Sequence, residues 1–71
     1  MKNDGIEKHF GVALRNWRMR RGISQLELAR RANLQRTNIS DVERGARNTS
    51  LRSIKRLADA LKVSLQTLFR F

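Results

Sequence analysis

The stretch LARRANLQRTNISDVERG, residues 28–45, sets two short helical runs end to end with only Asn33 and Leu34 between them. In the first, Leu28, Ala29 and Ala32 share one face. In the second, Ile39 and Val42 lie three apart and share another. After glycine, asparagine is among the residues that best tolerate a positive φ, so Asn33 closes the first run and turns the chain sharply. Leu34 packs back. Two helices joined this tightly cross at a steep angle, which leaves the outer flank of the second free to protrude.

The rest of the chain is punctuated in the same way. Phe10, Ala13, Leu14 and Trp17 give one apolar face to a first helix from about Glu7 to Arg21, and Gly22 stops it. Ser24 and Glu27 form an S-x-x-E capping box, which predicts a reciprocal pair of side-chain to backbone bonds at the start of the second helix. That helix runs to about Ala32, with Leu26 off its buried face. The third helix spans about Arg36 to Arg44, with Gln35 near its cap and Gly45 as its stop. After the loop ARNTS, Ser50 caps a fourth helix with an apolar stripe of Leu51, Ile54, Leu57, Ala58 and Leu61. Lys62 and Val63 lead to Ser64, the cap of a short fifth helix whose apolar side is Leu65, Leu68 and Phe69. There is no proline, no repeat and no strand-like alternation. An all-α, compact five-helix fold is expected, in a single domain covering residues 1–71.

Charge narrows the function. Lys and Arg number 16 against 6 Asp and Glu, a formal net charge of +10. Such an excess on a small domain points to a polyanion, nucleic acid first, with an anionic membrane surface or a merely basic protein as the other readings. There is no cysteine, so disulfide, thiolate-metal and thiol chemistry are excluded. One histidine, His9, has no second ligand at metal spacing, and no metal site is expected. Gly5, Gly11, Gly22 and Gly45 never cluster into a phosphate-cradling loop, and no paired carboxylates sit in a pocket-like context. The chain is therefore not read as an enzyme, and no cofactor or small-molecule ligand is expected. No apolar run approaches a membrane span, and MKNDGIEKHF is too polar for a signal peptide. The location expected is the cytoplasm. Met1 reads as a natural start, and the ending at Phe71 leaves a further effector domain open.

The two helices about Asn33 form a helix-turn-helix, whose second helix is of a size to enter the major groove of double-stranded DNA. Its N-terminal outer positions are Arg36, Thr37, Ser40 and Asp41, the candidate base readers. Arginine pairs with guanine in two places, a threonine methyl meets thymine, and a carboxylate accepts from cytosine N4. Asp41 has a competing reading as the intrahelical partner of Arg44, three residues on.

SQLELARRANLQRTNISDVERG resembles the helix-turn-helix of the Xre family of transcriptional regulators, which includes the lambdoid phage repressors and Cro proteins. The resemblance covers roughly residues 8–69, and ERGARNTSLRSI is also similar to restriction-modification controller proteins. Asn33 stands where the family usually has glycine, and Trp17 where an aliphatic residue is usual. The resemblance implies phosphate contacts from Gln25, Gln35, Asn38, Arg44, Arg47 and Asn48, with Arg52 added at the next helix. It implies an ion pair between Arg18 and Glu43 that ties the first helix to the end of the third. It also implies a homodimer on a near-palindromic operator, because one recognition helix reads only a few base pairs. Leu65, Leu68, Phe69 and Phe71 are the candidate interface, a surplus of apolar side chains near the C-terminus. Two other readings stay open: an antitoxin that represses its own operon, and a basic interaction or membrane-surface module without sequence preference.

Overall fold

Serine hydroxyls set where three of the helices begin. Ser24 Oγ accepts the N–H of Glu27, Ser50 Oγ that of Ser53 and Ser64 Oγ that of Thr67, each at 3.0 Å. Each bond satisfies a donor that the first helical turn leaves without an intrahelical partner. The computed structural model describes residues 5–71, and the polar reading of the first four residues lies outside them. Among the described residues there are five helices and no strand: α1 (Ile6–Arg20), α2 (Gln25–Ala32), α3 (Arg36–Glu43), α4 (Leu51–Leu61) and α5 (Leu65–Leu68). The all-α five-helix expectation holds. The ends of α1 and α3 fall one residue short of those expected, with Arg21 and Arg44 as C-caps.

The chain turns between helices through left-handed residues. Asn33 has φ 59° and closes α2, as its chemistry predicts. Lys62 has φ 60° and closes α4 in the same way, its N–H donating to Asp59 O at 3.1 Å. Nothing in a lysine announces that role, and the sequence reading treated it as plain connection.

The core is built from α1, α2, α3 and α4 with Leu68 of α5 closing it. Phe10, Leu14, Leu28, Ile39, Val42, Leu57 and Leu61 are among its buried side chains. Gly11 is buried where α1 crosses α3. A Cβ there would run into the backbone carbonyl of Val42 and sit 2.7 Å from that of Glu43, so the two helices meet backbone to backbone. That contact sets α3 directly against α1.

Four expectations are corrected. Leu51 does not join the apolar stripe of α4: it is 85% exposed, because it opens the first turn and projects off the end of the helix. Leu68 is not available to a partner, since it is fully buried beneath α5. Trp17 packs against the core as its place on the apolar face requires, but it is only half-buried; Arg20 and Arg21 lie over its ring, 4.8 and 5.3 Å from the centroid, which covers the indole with cations at the rim. The capping box at α2 is half made. Glu27 turns instead to Arg30 and Arg31, at 2.6 and 2.8 Å, because two guanidiniums one turn away attract the carboxylate more strongly than one amide. The Arg31 hydrogen bond is the main cause that holds the Glu27 carboxyl below its ordinary range; desolvation opposes it, and Arg30 adds to the lowering.

Candidate nucleic-acid interface

On α3, burial divides the helix lengthwise. Ile39 and Val42 are sealed into the core, whereas Arg36 and Thr37 are exposed and Ser40 and Asp41 half-buried. The helix is thus anchored by one face and presents the other. Its start is not sealed by a side chain, for Gln35 makes no capping bond.

A hydrogen-bonded chain links the base of the domain to this face. Arg18 of α1 donates through Nε to Glu43 Oε2 at 2.6 Å, through Nη2 to Glu43 Oε1 at 3.1 Å and through Nη1 to Ile23 O at 3.0 Å. Gln25, the first residue of α2, donates through Nε2 to Glu43 Oε1 at 3.0 Å. Its Oε1 then accepts from Arg36 Nη1 at 3.4 Å. The Arg18 and Glu43 side chains are 13% and 4% exposed, so the pair needs its full complement of partners to offset the cost of leaving water. Glu43 has three donors and Arg18 three acceptor contacts, which meets that condition. Gln25 is therefore held by both ends of its amide in the free protein, and it reaches Arg36 as well as the start of α2.

Asp41 is held too. One carboxylate oxygen accepts from Arg44 on the same helix, and the other accepts from Arg47 in the following loop at 3.4 Å. The backbone carbonyl of Asp41 accepts the N–H of Ala46 at 2.8 Å. Residue 41 thereby fastens the end of α3 and the loop beyond it, with Gly45 turning the chain at φ +71°.

Among the positions expected at phosphates, Gln35, Arg44, Arg47, Asn48 and Arg52 are exposed. Gln35, Thr37, Asn38 and Arg47 line one shallow depression beside the start of α3. Asn38 is half-buried, with its Oδ1 lacking a partner. Leu65, Phe69 and Phe71 are 42%, 37% and 54% exposed, and Ile6 joins Phe69 and Leu51 along an apolar groove. Sequence reasoning missed Gly11, which carries the helix crossing, and Arg21, whose Nε donates to Leu61 O at 2.8 Å across the fold. Neither has a local signal, since each role exists only once distant elements have met.

A helix-turn-helix family model matches residues 14–68. The control protein C.BamHI of Bacillus amyloliquefaciens is 43% identical over 69 residues, covering 96% of this chain and 85% of its own. The crystal structure of the restriction-modification controller protein C.AhdI from Aeromonas hydrophila superposes with a TM-score of 0.85 at 43% identity, over 86% of this chain and 88% of that one. The clp gene regulator ClgR from C. glutamicum gives 0.86 at 27% identity, over 89% and 81%. With the exposed recognition helix, the tight Asn33 turn and these likenesses together, the chain belongs to the Xre-like helix-turn-helix family of DNA-binding transcription regulators.

Proposed function

We propose that this protein is a sequence-specific regulator that binds double-stranded DNA as a homodimer, with α3 in the major groove of each half-site. The observation that carries this reading is the division of α3, whose Ile39 and Val42 face is locked in the core while Arg36 and Thr37 are exposed at its N-terminal end. Arg36 reads guanine, Thr37 packs on a thymine methyl and Ser40 offers a hydroxyl to the groove. Asn48 and Arg52, with Gln25, Gln35 and Asn38, supply phosphate contacts, joined at the operator by Arg44 and Arg47 once phosphate draws them from Asp41; together they orient the helix and give a steep salt dependence. Asp41 is the exception among the base-reading candidates, because both of its oxygens are already taken by arginines.

The dimer forms through the α4–α5 end. Leu51, Leu65, Phe69 and Phe71 leave apolar surface there, and the groove of Ile6, Phe10, Leu51, Ile54 and Phe69 continues it. Dimers of this motif present their two helices to half-sites about one helical turn of DNA apart, and a two-fold axis through this end is the proposed arrangement. The controller proteins among the relatives favour a role in regulating a restriction-modification operon in a prokaryotic cytoplasm.

Selection from a randomised duplex library at near-physiological salt tests the reading. A two-fold symmetric motif with half-sites about one helical turn apart is expected. Strong retention of duplex without any enriched motif leaves a non-specific basic protein and removes the roles given to Arg36, Thr37 and Ser40.

A further inference from the structure

The structure assigns Asp41 a role other than reading a base: it is a positioning residue that withholds Arg44 and Arg47 from phosphate and so limits sequence-independent binding. The inference rests on the DNA-binding reading but not on the operator or the dimer.

Two arginines on the two oxygens of one carboxylate occur at Glu27 as well, and what sets Asp41 apart is its place on α3. Among the described acidic residues, Glu43 is buried against Arg18, Glu27 serves Arg30 and Arg31 on α2, and Asp59 serves Lys55 on α4. Asp41 alone of these lies on the exposed side of the recognition helix, and it engages two arginines with its two oxygens. Those arginines are 66% and 45% exposed, so phosphate has access to both and competes with the carboxylate directly. Each guanidinium that stays with Asp41 neutralises a carboxylate in place of a phosphate and releases no counterion from the duplex. Ala46 N–H on the Asp41 carbonyl fixes the loop from which Arg47 reaches back, so the second contact is built into the turn after α3. A base-reading carboxylate needs lone pairs aimed at the groove; each oxygen of this one already accepts from an arginine at the surface.

The test is binding of the full chain to a duplex of random sequence, measured over a range of salt, for wild type and Asp41→Asn. The asparagine keeps the shape and removes the charge. The variant is expected to bind the random duplex more tightly. Freeing two arginines steepens the slope of log affinity against log salt by up to about 1.8, so between about 50 and 200 mM salt its affinity falls as much as roughly tenfold further than that of wild type. Asp59→Asn makes the same change in net charge away from α3 and is expected to leave the slope unmoved. With Arg44→Ala and Arg47→Ala already present, Asp41→Asn is also expected to leave the slope where it was, a non-additivity that a purely structural role does not produce. Equal slopes for wild type and Asp41→Asn overturn the proposal. So does equal steepening by Asp59→Asn, which reduces the effect to net charge. A library selection with Asp41→Asn that loses a cytosine column from the wild-type motif also overturns it, in favour of base reading. Absence of a motif for the wild type itself counts against the proposed sequence-specific function while the salt-slope comparison still decides the role of Asp41.

Discussion

At the scale of single residues, the Arg18–Glu43 pair shows how much a family pattern can place and how much only the fold can supply. The two positions are 25 residues apart, and no helical period connects them. What the sequence did not reveal is that Gln25 joins them and passes the contact on to Arg36. With Glu43 only 4% exposed, Arg18→Met leaves a buried carboxylate short of its partner and is expected to cost about 3–5 kcal/mol in denaturant unfolding. The double replacement of Arg18 and Glu43 by apolar residues is expected to cost less than either single change. A double-mutant cycle without coupling contradicts this account. Legibility followed the range of the interaction. Ser24, Asn33, Ser50 and Ser64 were readable because a cap is a bargain between a side chain and its own neighbouring backbone. The alternative partner of Glu27 was local as well, yet it was missed, since a capping motif and an intrahelical ion pair compete for the same carboxylate.

At the scale of elements, periodicity located every helix, but not which end residues sink. Leu51 and Leu68 carry the same side chain near the starts and ends of adjacent helices, and one is 85% exposed while the other is fully buried. The difference lies in whether another helix covers that turn. The crossing of α1 and α3 at Gly11 is the least legible contact of all, because a glycine in mid-helix reads only as a weak spot. Gly11→Ala improves local helix propensity and is nevertheless expected to destabilise the protein, by about 1–3 kcal/mol, as the added carbon overpacks two backbone carbonyls. A thermal melt separates the two effects by sign: a rise in Tm means that the helices part without cost.

At the scale of the whole molecule, a small basic domain anchors its recognition helix firmly and leaves an apolar end uncovered. Leu51 is so exposed that replacing it leaves the monomer's core untouched. Leu51→Lys is expected to keep the melting curve of dilute protein and to weaken self-association at least about tenfold in sedimentation, as loss of a central apolar anchor does. Unchanged self-association moves the interface away from this end. The backbone contact at Gly11 carries one more consequence. At that crossing no side chain lies between the backbones of α1 and α3, so re-aiming the helix to suit a groove of another width is resisted there. Any misfit then falls on the duplex, which must bend or twist to meet the protein, and sequences that deform cheaply gain an advantage at base pairs that the protein never touches.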